Sequence, residues 1–262
     1  MIRVSIGTEP KQYIASQVLK SSILRRCSET VSFTESWKPV ELWHHRLKSA
    51  PKLEGGTAFS AWRWLVPDVY GRSGRAIYMD ADQVVLADIV ELWDAIEDGK
   101  PIAAVRNAIG IFGKKTPEPD HTQTSVMVID CKKAGWDYRL LASVANRKDR
   151  DFVRACEAKG NKAKSPYAAV MQAGWIPREE ITELDPAWNH FGIVQDDTKL
   201  VHWSHVKSQP YRNPNHPTAH IFAEELKVAL ESGHVTQSEL RHSVHQRYIH
   251  EDYLRCLPAP SA

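Results

Sequence analysis

The chain has 262 residues, room for one large α/β domain with a sizeable core. Its formal net charge of +2 gives no global drive toward nucleic acid, and no apolar run approaches the roughly 20 residues of a transmembrane helix. Four cysteines, Cys27, Cys131, Cys156 and Cys256, lie far apart with no C-x-x-C pair, which argues against a zinc site and a secreted disulfide framework and for a reducing cytoplasm.

The N-terminus lacks the basic-then-apolar pattern of a signal peptide and reads as a first strand, Val4 to Gly7, ending in Gly-Thr-Glu-Pro. Pro10 stands where a helix can begin, and Ile14, Ala15, Val18, Leu19 and Ile23 carry helical spacing. Strand, glycine turn and helix open a βαβ-like unit. Gly7 lets backbone approach a ligand closely, and the helix start offers N–H groups; an ordinary βα turn has the same appearance. The pattern is not the Gly-x-Gly-x-x-Gly fingerprint.

Glu29 to Phe33 reads as a second strand, Val40 to Leu47 as a third, and Ser49 to Gly56 as a loop. Thr57 caps a helix whose Phe59, Trp62, Leu65 and Val66 share one face and which Pro67 ends. Arg63 lies beside this stripe, where an arginine more often snorkels to the surface than binds a ligand. Ala76-Ile77-Tyr78-Met79, bounded by Gly71, Ser73 and Gly74, is a buried strand that runs into Asp80-Ala81-Asp82. Val84-Val85-Leu86 follows, and then Asp88 ahead of a short helix, Ile89 to Trp93.

Ile102 to Val105 reads as the next strand. Arg106 to His121 is irregular, as lid loops and disordered segments both are. Val126 to Asp130 is another buried strand ending in a carboxylate. Two charged helices fill Tyr138 to Ala158, ahead of a basic loop from Lys159 to Lys164. Glu183 to His190 is a polar turn carrying Trp188, and Lys199 to Trp203 is a strand that delivers His202. Helices are expected over Ala219 to Leu230 and Gln237 to Leu254. The organisation is one main domain, 1–212, with a helical appendage, 213–262.

Two carboxylates at the end of a buried strand are costly unless neutralised. Ligands of open α/β sheets bind at the carboxyl ends of the strands. A hard divalent cation neutralises both groups and keeps positions open for phosphate; the plainer alternative is that Asp80 caps the turn and Asp82 is solvated. His202 reads either as a satisfied core histidine or as a further ligand. Trp188 is either a platform for a sugar face, with the Asn189 amide beside it, or a plug in the core.

The motifs, in this order, resemble the retaining GT-A glycosyltransferases of family 8, the glycogenin-like and bacterial galactosyltransferase-like group. The matching pieces are Ile6-Gly7-Thr8-Glu9 with the helix ending Ser22-Ile23, then Phe59 to Pro67, Ala76 to Asp82, Ser125 to Asp130, Leu184 to Asn189 and Leu200-Val201-His202. The resemblance implies a mixed α/β sheet flanked by helices, a nucleotide-sugar donor such as a UDP-sugar, a saccharide or other hydroxyl acceptor, and Mn²⁺ or Mg²⁺. It carries the metal onto Asp80, Asp82 and His202. It carries donor contacts onto Gly7, Thr8, Glu9, Arg63, Ala81 and Lys207, although Lys207 is one residue nearer His202 than the common pattern.

Two stretches depart from that pattern. Gln123-Thr124-Ser125 stands where Asn-Ser/Ala-Gly is usual, leaving Gln123 to bond a sugar hydroxyl. Ser165 to Val170 stands where the family carries Asp-Gln-Asp, so the pattern does not identify the group that assists the retaining step; Asp130, Asp185 and Gln172 are candidates. A rival reading is a haloacid-dehalogenase-type phosphatase using Asp80 as nucleophile and Asp82 as acid/base. Another is a transferase-like fold that only binds a nucleotide or glycan.

Overall fold

The computed structural model describes residues 1–36, 53, 56–57, 59–111, 115–118 and 120–258. The expected strand over Val40 to Leu47 and most of the loop after it lie outside these residues.

Strand β1 (Ile2–Gly7) leads through a 3-10 turn (Pro10–Gln12) into helix α1 (Tyr13–Arg26), then to β2 (Val31–Glu35). Helix α2 (Trp62–Val69) precedes β3 (Arg75–Asp80) and the short β4 (Gln83–Val85). Pro67 lies inside α2 rather than ending it. Helix α3 (Ile89–Asp94) starts at Asp88, whose side chain accepts from the Val90 amide. Then come β5 (Ile102–Val105) and β6 (Gln123–Asp130).

Helices α4 (Tyr138–Asn146) and α5 (Arg150–Glu157) fill the expected charged stretch. The chain then adds α6 (Pro166–Met171) and β7 (Ile181–Leu184), neither of which the sequence reading contains. The supposed polar turn thus opens as a strand, with a 3-10 turn (Pro186–Asn189) behind it. Strands β8 (His190–Phe191) and β9 (Leu200–His202) follow. The C-terminal part is α7 (Ala219–Glu231), α8 (Gln237–His245) and a 3-10 segment (Glu251–Cys256), so the single helix expected to Leu254 is broken after His245.

The six-stranded sheet runs β2-β1-β3-β6-β5-β7. Strands β2, β1 and β3 are mutually parallel, β6 is antiparallel to β3 and β5, and β7 is parallel to β5. Buried on both faces, β3 and β6 read as near-continuous apolar runs, as such strands must. Alternation then sorts side chains: Ala76, Tyr78, Met127 and Ile129 face the core beneath α2, α4 and α6. Ile77, Met79, Val126 and Val128 face the other core, with Leu19 and Ile23 of α1.

This topology brings the ends of β1, β3 and β5 and the start of β6 to one edge. Gly7 pairs with Asp80, and Val105 pairs with Gln123. A second sheet, β4-β9-β8, continues from that edge, with Gln83 opposite His202. The C-terminal helices share a core with α1 and β9 through Val18, Val201, Trp203, Phe222 and Tyr253. Glu225 of α7, itself buried, takes Arg26 at 2.6 Å and also Arg25.

Candidate active site

Asp80 is the last residue of β3 and Asp82 precedes β4, so the chain turns at the rim with both carboxylates in it. Pairing of β4 with β9 brings His202 to the same point. One ligand atom from each of Asp80, Asp82 and His202 can be chosen so that all lie within 4.8 Å of one another. All three are buried, at 9%, 7% and 3% exposure. The solvated-carboxylate reading of Asp82 therefore fails.

Each group is held by neighbours. Arg63 of α2 donates from Nη2 to both Asp80 oxygens, at 3.0 and 3.2 Å, and from Nη1 to Thr124 Oγ1 at 2.7 Å. Thr124 Oγ1 in turn donates to the Met171 carbonyl. Arg63 is 5% exposed, so it neither snorkels nor is free to swing toward a ligand. The Tyr78 hydroxyl also donates to Asp80. Burial raises the Asp80 carboxyl above the usual carboxylate range, Arg63 counteracts it, and Asp82 adds to the rise.

Gly7 has a specific reason to be glycine. A Cβ there would lie 2.2 Å from the Tyr78 hydroxyl oxygen, so the space is filled by Tyr78 rather than left for a ligand. The Ala81 amide donates to the Gly7 carbonyl at 3.0 Å, tying the Asp-x-Asp turn to β1. Thr8 is buried, and its amide is taken by Ser36 Oγ at 2.8 Å; Glu9 is partly exposed ahead of the 3-10 turn.

His202 Nδ1 lies 3.0 Å from Asn189 Oδ1, while Asn189 Nδ2 donates to Ser125 Oγ at 3.0 Å. An amide oxygen only accepts, so Nδ1 carries a proton, and a ring with no second proton turns the lone pair of Nε2 outward. Nε2 is 3.4 Å from Asp82 Oδ1, a buried oxygen that accepts no hydrogen bond. The other Asp82 oxygen accepts from Gln209 Nε2 at 2.7 Å. Two facing lone pairs at one buried point need a proton or a cation between them; the carboxylate oxygens suit Mg²⁺ or Mn²⁺, and Mn²⁺ accepts the imidazole nitrogen more readily. The residues fit such an ion.

Several expected residues lie elsewhere. Trp188 is 2% exposed in the core with Val105, Leu184 and Leu200, with the Lys199 ammonium 5.6 Å from its ring, so it is the plug and not a sugar platform. Asn189 is fully buried with both ends of its amide engaged on Ser125 and His202, so its side chain is not free for a sugar hydroxyl. Asp130 pairs with Arg75, at the far end of β3, because β6 runs antiparallel; about 17 Å of strand separates it from Asp80. It accepts from the Lys132 and Lys133 amides there. Asp185 is exposed and caps the 3-10 turn through the Ala187 amide.

Gln172 is nearer. It follows Met171, whose carbonyl ends the chain of hydrogen bonds from Asp80 through Arg63 and Thr124, and its Nε2 lies 3.2 Å from His121 Nδ1. Gln123 opens β6 at the rim, partly buried, and Lys207 is exposed in the turn after β9. The loop after β5 reaches this rim too. Gly110, at φ +120°, bridges to Phe191, and a Cβ there would strike the Phe191 carbonyl oxygen at 2.2 Å. Phe191 packs on His202 with ring centroids 4.9 Å apart.

The sequence reading missed Tyr78, Thr124, Ser125 and Gln209. A signal existed for Tyr78, because residues two apart on a strand share a face and Tyr78 is two before Asp80. Gln209 lies in an irregular turn where no periodicity points anywhere.

Comparison with known proteins agrees with this architecture. Protein CDI of Arabidopsis thaliana is 28% identical over 221 residues, covering 77% of each chain. Among solved structures, the galactosyltransferase LgtC, in complex with donor and acceptor sugar analogues, superposes with a TM-score of 0.62 at 13% identity, over 92% of this chain and 100% of that one. The bifunctional glycosyltransferase WbbM gives 0.59 at 15% identity over 94% of this chain, which spans about half (51%) of WbbM. Mouse xyloside xylosyltransferase 1 gives 0.51 at 13% identity, over 78% of this chain and 97% of that one. These likenesses show the GT-A fold. The phosphatase reading falls, since the family model that matches is a transferase's. With the sequence model described as Glycosyl transferase family 8 matching residues 9–210, the chain belongs to that family and is a glycosyltransferase.

Proposed function

We propose that the chain transfers a sugar from a UDP-sugar to a hydroxyl acceptor with retention at the anomeric carbon, and that it depends on Mn²⁺ or Mg²⁺ held by Asp80, Asp82 and His202. The observation that carries the reading is the buried, undonated Asp82 Oδ1 facing His202 Nε2. When bound, the ion supplies Lewis-acid stabilisation of the charge that builds on the departing diphosphate. The protein's own part is preorganisation. Arg63 and Tyr78 hold Asp80, and Asn189 sets the tautomer of His202.

The rim formed by Gly7, Thr8, Glu9 and Ala81 is assigned to the nucleotide, Lys207 to the diphosphate and Gln123 to a sugar hydroxyl, as the resemblance implies. Of the three groups considered for the retaining step, Gln172 has the position in its favour. LgtC has itself been solved as an active-site glutamine-to-glutamate mutant, and Gln172 offers the same kind of group here. We take residues 1–212 as the transferase domain and 213–262 as an extension packed on it. Among the described residues no helix is long and apolar enough to cross a membrane, and all four cysteines are free, in keeping with a reducing compartment.

The test is a panel of UDP-sugars, beginning with UDP-galactose and UDP-glucose, incubated with Mn²⁺, Mg²⁺ or EDTA. The expected result is cation-dependent UDP release, with the α-anomer of the sugar as first product from an α-linked donor. Stabilisation by UDP and Mn²⁺ with no release from any donor would favour the binding-only alternative.

A further inference from the structure

We propose that Gln209 is a positioning residue for the cation: its amide nitrogen fixes the Asp82 carboxylate so that one oxygen stays turned toward His202. The inference rests on the cation reading above. Gln209 is 1% exposed and sits in the turn after β9, ahead of Pro210 and the fully buried Tyr211. Its Nε2 lies 2.7 Å from Asp82 Oδ2, whereas Asp82 Oδ1 has no donor and faces His202 Nε2 at 3.4 Å. The terminal torsion of a carboxylate is broad and two-fold, so its two oxygens exchange unless something distinguishes them. A donor on one of them does so.

The same device acts on the imidazole. Asn189 holds His202 Nδ1 as Gln209 holds Asp82 Oδ2, one carboxamide for each group. The neutrality of these partners has a physical consequence. A lysine at Gln209 would put positive charge beside the cation, and a carboxylate there would repel Asp82. Gln209 Oε1 is itself buried without a partner, so the amide does not serve to close an internal network. Among the described residues, the side chain it bonds is Asp82.

Gln12 supplies a matched control. It too is buried, with an undonated Oε1, but its Nε2 lies 3.5 Å from the Tyr211 hydroxyl and does not bond to Asp82. The experiment titrates Mn²⁺ into the nucleotide-free protein and follows free Mn²⁺ by electron paramagnetic resonance, with the melting temperature of the cation-free protein measured alongside. Gln209→Met keeps the volume and removes the donor. It should weaken Mn²⁺ binding about 10–100-fold, the usual cost of losing a partner of a ligand. Gln12→Met should leave the affinity within about 2-fold of wild type. Gln209→Asn, too short to reach, should fall with Gln209→Met and replaces it if that variant does not fold.

Unchanged Mn²⁺ affinity in the Gln209 variants, or an equal loss in Gln12→Met, overturns the inference while wild-type binding preserves the cation reading. Wild-type protein that binds neither Mn²⁺ nor Mg²⁺ overturns both.

Discussion

Nε2 of His202 and Oδ1 of Asp82, both residues buried, face each other at 3.4 Å, and among the described residues nothing donates to that oxygen. The arrangement is set from behind by Asn189, whose amide oxygen can accept only from a protonated Nδ1. Asn189→Leu should therefore free the ring to take the other tautomer. The expected outcome is a loss of about 10–100-fold in Mn²⁺ affinity, read by isothermal titration calorimetry. Equal affinity in wild type and variant would mean that the tautomer is not set by this contact.

Arg63 is the counter-charge for Asp80, and both are buried. Removing one partner of such a pair leaves an uncompensated charge, which costs about 3–5 kcal/mol. Arg63→Met should lower the denaturant midpoint of the metal-free protein accordingly. Added Mn²⁺ should restore part of the loss, because the cation supplies positive charge next to Asp80. A variant as stable as wild type would show that Asp80 is neutral in the folded state.

Gly7→Ala probes the same carboxylate from the other side. The new Cβ would stand 2.2 Å from the Tyr78 oxygen, so the ring must leave Asp80 or the strand must shift. The expected result is a lower melting temperature together with weaker Mn²⁺ binding. Tyr78→Phe removes the atom at 2.2 Å and should recover part of the stability in the double variant, with Cζ of residue 78 at 3.0 Å and Phe59 at 3.1 Å still crowding the new methyl. No recovery would place the strain elsewhere.

The sequence placed Asp80, Asp82 and His202 at the ends of short apolar strands or just after them, and the fold brings the three together. What it did not carry is instructive. Trp188 and Asn189 sit in a Pro-led turn, and nothing local says whether such a turn faces a mouth or a core; tertiary packing of β5, β7 and β9 decides it. Asp130 looked equivalent to Asp80 because both end buried strands. The antiparallel pairing of β6 puts them at opposite ends of the sheet, and strand direction has no sequence signature. Strand β7 escaped notice because Thr182 and Glu183 separate its two apolar residues, Ile181 and Leu184. Helix α6 escaped because six residues from Pro166 to Met171 are too few to display a period.

Trp188→Ala separates packing from sugar contact. With the indole 2% exposed, the substitution should open a cavity and cost about 3–5 kcal/mol. The denaturant midpoint reads this directly. A change in acceptor or donor KM without any loss of stability would restore the platform.

Burial pushes the imidazoles of His190 and His216 below the usual histidine range. In the unfolded chain both take up a proton near the usual value of about 6.5, and in the folded chain they do so only at lower pH. The unfolded state then binds more protons below pH about 6.5, so stability falls as the solution is acidified from 7 toward 5. His190 Nδ1 lies 2.7 Å from Thr198 Oγ1 and, among the described residues, its Nε2 is buried without a hydrogen-bond partner; burial outweighs the carboxylates of Asp197 and Asp185, which favour the protonated ring. His190→Asn should flatten the pH dependence of the denaturant midpoint in that window. A slope equal to that of wild type would assign the effect to other groups.

The most direct test of the account compares wild type with Asp82→Asn for UDP release from the best UDP-sugar, at a series of Mn²⁺ concentrations and in EDTA. Asparagine keeps the size of the side chain and a contact for Gln209 but removes the charge facing His202. The account predicts saturable Mn²⁺-dependent release by wild type, none in EDTA, and none by Asp82→Asn at any Mn²⁺ concentration while its cation-free melting temperature is kept. Release that persists in EDTA, or that Asp82→Asn supports with the same Mn²⁺ dependence, would contradict it.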